Sequence, residues 1–157
     1  MRKLILTAFI ALTATSAFAQ LPNPYGTSIN LENARRIAAL SVAEAANNNF
    51  KMAVAIVDIS GDLIYFEKMD GTQAASVNIA QDKARSAARF KRPTKALQDA
   101  LAAGGAGLRL LALEGAVPVE GGLPLIMDGK IVGAIGASGG TSEQDGQTAK
   151  AGADSVK

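Results

Sequence analysis

Two pieces of β-hairpin punctuation constrain this chain more than anything else in it. Met52 to Val57 is an unbroken apolar run. The turn residues Ser60-Gly61-Asp62 follow it, and then a second run, Leu63 to Phe66. Leu125 to Met127, Asp128-Gly129 and Lys130 to Ala137 repeat the pattern. Connections this short leave no room for a crossover, so each pair of runs must lie antiparallel. A run that is apolar at every residue, rather than at alternate ones, predicts a strand covered on both faces.

Helical spacing fills the rest. Leu31, Ala34, Ile37, Ala38 and Val42 predict a helix over about 31–46, capped by Asn30 and stopped by Asn47-Asn48-Asn49. Val77, Ala80, Ala84 and Ala87 give a second helix an apolar stripe over about 75–90, and Pro93 stops it. Thr94 is placed to cap a short helix through about Ala102, which Gly104-Gly105 and Gly107 break. Leu110 to Ala116 reads equally as strand or helical turn. Glu120 to Pro124 reads as a loop. Thr141 and Gln144 have capping-box spacing ahead of a last helix from about Ser142. Hairpins separated by helices predict an α+β fold, an α/β sandwich. It would hold an antiparallel sheet of about five strands packed with about four helices.

Arg2 and Lys3 precede an apolar stretch from Leu4 to about Ala14, and Ala17-Phe18-Ala19 supplies small residues at a cleavage spacing. This is the pattern of a secretory signal peptide. The expectation is a signal over residues 1–19, a single domain over 20–157, and a periplasmic or extracellular location with no membrane span after cleavage. The 157 residues carry 16 basic and 14 acidic side chains, and the two basic residues of the signal account for the whole excess. A domain with no net charge and few aromatics is a poor nucleic-acid binder.

The chain has no Cys, no His and no Trp. Disulfides, thiol nucleophiles, Ser-His or Cys-His dyads and a histidine-ligated haem are therefore excluded. Zinc would have to be held by carboxylates alone, so no metal site is expected. The core must come from Ala, Val, Ile and Leu. Such side chains bury little area each, and a homo-oligomer is expected to help.

Four features remain that carry chemistry. Lys83, Arg85, Arg89, Lys91, Arg92 and Lys95 form a basic cluster. At 100° per residue, Arg85, Arg89 and Arg92 share one helical face, a cationic stripe suited to carboxylates. Ser138-Gly139-Gly140-Thr141 opens a helix, where backbone N–H groups favour an anion. Glu120-Gly121-Gly122 pairs a titratable group with glycines that allow close approach. Tyr65 and Met69, near a strand end, are the least unsuitable iron ligands on the chain. Each feature also has a plain structural reading: a solvated helix face, a capped turn, a connection, core packing.

Taken in order, these stretches resemble the GlcG/HbpS-type haem-binding (haem-degrading) family. Met52 to Gly61 looks like its opening hairpin, Lys83-Ala-Arg-Ser-Ala87 its K-A-x-T-A helix, and Arg92-Pro-Thr94 follows as it does there. Glu120 to Pro124 and Gly133 to Gly140 resemble its G-G-x-P and G-A-I-G-V-S-G-G signatures, and Gln144 to Gly152 its closing helix. The resemblance covers about Ile29 to Val156. It implies an oligomeric α/β sandwich whose ligand site is edged by Lys83, Ser86, Gly121, Gly122 and Ser138, Gly139 and Gly140. Two departures are Ser86, where threonine is usual, and Gly146, where an acidic residue is common.

The reading is an exported small-ligand-binding protein. Lys83, Arg85, Arg89 and Arg92 and the glycine loops would hold an anion such as haem or a carboxylate. One alternative is an isomerase- or lyase-type enzyme on a small carboxylic acid, with Lys83, Glu120 and Asp145 as acid/base groups. The other is a non-catalytic oligomeric interaction module.

Overall fold

The computed structural model describes residues 22–156, so the expected signal segment lies outside the described residues. Among the described residues there are four α-helices: α1 Leu31–Asn47, α2 Ser76–Phe90, α3 Thr94–Ala102 and α4 Ser142–Ala153. The strands are β1 Ala53–Val57, β2 Leu63–Lys68, β3 Gly122–Met127 and β4 Lys130–Ser138. Of the ambiguous Leu110–Ala116 stretch, Leu110 to Ala112 end a 3₁₀ segment, Gly105–Ala112, and the rest is turn and coil.

Both expected hairpins form, and β1 joins them by pairing antiparallel with β4, giving the order β2-β1-β4-β3. Among the described residues the sheet has four strands, one fewer than the sequence suggested. The residues past the 3₁₀ segment run as coil to Gly121 and add no fifth strand. The N-terminal arm instead extends the sheet by backbone bonds, Gly26 N–H to the Ile131 carbonyl at 2.8 Å and Ile29 N–H to Val132 at 2.7 Å.

The central strands are buried on both faces, as their unbroken apolar character requires. On one face Val54, Ile56, Ile135 and Ala137 pack under α1 and α4 through Ile37, Ala38 and Ala149. On the other, Ala53, Ala55, Val57 and Ala134 meet the alanine stripe of α2: Ala80, Ala84, Ala87 and Ala88. The result is three layers, with α2 on one side of the sheet and the α1–α4 pair on the other. Among the described residues, no helix is long and apolar enough to cross a membrane.

Two local expectations are corrected. Glu120 to Pro124 is not wholly loop, because β3 begins at Gly122, which pairs with Gly136. Pro124 is tolerated there because β3 is an edge strand. Thr94 does not cap α3, whose N-cap is Pro93. Its hydroxyl instead accepts from the Gly122 N–H at 2.9 Å. Asn30 and the Thr141–Gln144 capping box behave as read.

Candidate functional site

The basic cluster divides on folding. Lys83 turns inward and is the largest fully buried side chain among the described residues. Its Nζ donates to Asp145 Oδ2 at 2.6 Å and to the Ala137 carbonyl at 3.3 Å. The two side chains are only 1% and 5% exposed. Lys83 comes from α2 and Asp145 from the first turns of α4, so the pair ties together helices on opposite faces of the sheet.

Gly121 permits this. Its φ of +125° is closed to most side chains. A Cβ there would lie 2.9 Å from both Lys83 Nζ and Asp145 Cβ, and 2.6 Å from the Ala137 carbonyl oxygen. The second oxygen of Asp145 accepts from the Gly140 N–H at 3.0 Å. The anion expected at the Ser138–Gly140 helix start is therefore the chain's own Asp145. Burial pushes the Asp145 carboxyl up from its ordinary range, against the pull of Lys83 and the Gly140 and Gly139 N–H groups. Ser138 and Ser76 share a hydroxyl–hydroxyl bond of 3.1 Å. Ser86 is also buried, and its hydroxyl accepts from the Val117 N–H at 3.0 Å, fixing the coil ahead of β3.

The surface cations do not form the expected three-residue stripe. Arg85 and Arg89 line one cleft of about 520 Å³, together with Asp82, Glu114 and Val117. Arg85 pairs with Asp82 at 3.1 Å, and Arg89 donates through Nε to the Ser60 carbonyl at 2.8 Å. Arg92 leaves the stripe because α2 ends at Phe90 and Lys91 turns the chain through left-handed backbone, φ 54°. Its Nε donates to Phe90 O, and it lines another cleft beside Arg109.

Glu120, Gly121 and Gly122 line a pocket of about 300 Å³ with Lys95 and Lys150. Gly146, one of the two departures from the resemblance, makes room for Glu120: a Cβ at 146 would meet Glu120 Cγ at 2.8 Å. This pocket shares Pro93, Leu123 and Lys150 with an apolar groove of about 590 Å³ along the outer edge of β3. The groove was not read from the sequence. Lys91 was part of the basic cluster, but nothing marked it as the cation beside exposed Ile126.

Tyr65 and Met69 are not brought to the cations. Tyr65 is registered against Ile56 and faces α1, across the sheet from α2. Its hydroxyl donates to Glu67 at 2.9 Å, and that bond, with burial, raises its pKa and keeps the phenol protonated. Met69 follows the end of β2 that pairs with Ala53, whereas Arg89 bonds the turn at the other end of the hairpin.

Fold and clefts define a three-layer α+β domain with cationic recesses around the C-terminal end of α2. The chain belongs to the HbpS-like family: the model of that family, described as haem degrading protein HbpS-like, matches residues 29–154. Protein GlcG of Escherichia coli K12 is 36% identical over 110 residues, 70% of this chain and 81% of that one. A double mutant of Streptomyces reticuli HbpS superposes with a TM-score of 0.77 at 27% identity, covering 97% of this chain and 99% of that one. A haem complex of PduOC superposes with a TM-score of 0.75 at 26% identity, over 83% and 96%.

The residues present fit only part of a haem. Carboxylates have cations to meet, and an apolar macrocycle has the β3-edge groove. The iron has no imidazole or thiolate anywhere in the sequence. The phenol and thioether expected to replace them lie apart from the cations.

Proposed function

We propose that the protein binds an anionic tetrapyrrole of the haem class by charge and apolar contact, with no imidazole or thiolate bond to iron. The observation that carries this is the division of the basic cluster. Lys83 is withdrawn as a structural cation, Lys91 stays at the surface beside the apolar β3-edge groove, and Arg85, Arg89 and Arg92 add only a general positive field around the end of α2. Family membership and the likeness to the PduOC haem complex support the ligand class.

The acid/base reading gains less. Lys83 and Asp145 are spent on each other behind Gly121, and the small pocket in front is lined by Glu120 alone of the three candidates.

A paired titration tests the proposal. Hemin and iron-free protoporphyrin IX share both carboxylates, so they should bind with dissociation constants within about threefold of each other. Both should weaken as salt is raised, because screening acts on the shared charges. If neither ligand binds, the proposal fails. If hemin binds and protoporphyrin does not, iron ligation holds the ligand and the charge mechanism fails.

Export and self-association belong to the same proposal. The N-terminal signal pattern supports the first. The exposed Leu108 and Leu111 of the 3₁₀ segment and Leu113 in the coil after it support the second. In native mass spectrometry of protein recovered after secretion, the subunit should begin at Gln20 and the main species should be larger than one chain. A full-length monomer would contradict both.

A further inference from the structure

We infer that the macrocycle of this ligand lies in the groove along the outer edge of β3, with Lys91 and Lys150 nearest its carboxylates. This placement rests on the tetrapyrrole reading above and adds the site to it. At about 590 Å³ the groove matches a small-molecule site, for which roughly 300–1,000 Å³ is usual. Leu123, Pro124 and Ile126 of β3 form one wall and Ala153 and Val156 the other. Ile126 remains 43% exposed, an apolar side chain on an edge strand with open space beside it.

The edge itself argues for a small molecule rather than an added strand. Pro124 offers no N–H, and the register shifts between Leu125 and Ile126. A strand approaching this edge would find its ladder interrupted twice within three residues.

The charge at the rim argues for an anion. Lys91 holds a left-handed conformation, φ 54° and ψ 36°, at the end of α2, a position glycine fills by default. Its ammonium lies 4.0 Å from the centroid of the Tyr25 ring, and its side chain lines the groove. The Tyr25 hydroxyl is in turn fixed by the Ala88 carbonyl at 2.9 Å. A strained backbone that carries a lysine where glycine would relieve it points to a use for the side chain. Lys150 faces the same groove, paired with Asp154 on its own helix. The Arg85–Arg89 cleft offers less to a macrocycle. Asp82 pairs with Arg85 and Glu114 also lines it, as Asp154 lines the groove, but Val117 is its one apolar side chain among the described lining residues.

The test ranks three variants by titration with hemin and with protoporphyrin IX. I126E sets a carboxylate in the apolar wall and should weaken both ligands at least tenfold. K91G should weaken them three- to tenfold while melting at or above the wild-type temperature, since glycine suits that backbone. A Lys91 with a merely structural role would not separate the two readouts. R85Q/R89Q should weaken binding no more than threefold, through loss of general positive field. Circular dichroism and melting of I126E check that its exposed site leaves the fold intact. Any ranking in which I126E is not the largest loss overturns the placement, and if R85Q/R89Q is the largest the tetrapyrrole reading survives without it. Wild-type protein that binds neither ligand sinks that reading and the placement with it.

Discussion

K83M should lower the unfolding free energy by about 3–5 kcal/mol, the usual cost of leaving one partner of a buried ion pair without the other. The loss should appear in urea titration and as a melting point lower by on the order of 10 °C. After the substitution Asp145 keeps its bond from the Gly140 N–H but loses a counter-ion held at 2.6 Å in a site closed to water. K83M/D145N should recover more than half of the loss. The side-chain amide that replaces the carboxylate would still accept from Gly140, and no uncompensated charge remains. A K83M protein within about 1 kcal/mol of wild type would show that water reaches Asp145 and that the pair clamps nothing.

The same carboxyl gives a pH dependence of definite sign. Unfolded, Asp145 titrates near 3.8, and burial raises that value in the folded chain. The folded state thus holds the proton more tightly. Its contribution to stability is complete below the unfolded value and is lost as pH rises through the folded one, after which both states are ionised and the slope ends. In D145N that descending component should vanish from a plot of stability against pH, while the rest of the profile keeps its shape.

What the sequence made legible follows from the range over which each signal acts. Hairpins, caps and helix ends are decided within a few residues, and the bounds of α1, α2, α3 and β4 agree with the expected ones to within a residue or so. The Lys83–Asp145 bond spans 62 positions, so neither residue carried a mark separating a buried clamp from an acid/base pair. The cationic stripe failed for a local reason outside the helical periodicity. A wheel drawn at 100° per residue continues through Arg92, but the chain has already turned at Lys91. The β3-edge groove was invisible because its walls come from the C-terminal end of α2, a strand edge and the end of α4, which only the fold brings together. Gly136 is legible in the sequence only as part of a resemblance to a family signature, and the structure supplies its reason.

That reason makes the second large effect predictable. G136A should cost about 3 kcal/mol, the top of the usual range for overpacking, although it adds a single methyl. Gly136 sits on the central strand β4, between Ala55 of β1 and Gly122 of β3. A Cβ there would lie 2.6 Å from the Ala84 amide nitrogen and 3.1 Å from the Ala80 carbonyl carbon, with the Ala80 oxygen nearer still. These are backbone atoms of α2, and no rotamer change relieves them. Gly122, opposite in the ladder, meets α2 in the same way, 2.9 Å from the Lys83 carbonyl carbon. The two glycines form a trough in the sheet, and α2 lies in it with its alanine stripe down. Lifting α2 out would also lengthen the Lys83–Asp145 bond and draw Ser86 from Val117, so the loss should exceed that of a surface glycine. G129A provides the comparison. Its site has φ +71° in the β3–β4 turn and nothing within 4 Å of a Cβ, so it should cost only about 1–2 kcal/mol, from backbone strain alone. Urea midpoints for the two variants decide the matter. If G136A were no worse than G129A, the helix would yield at little cost, and the close approach of α2 would not be what the glycine signature provides.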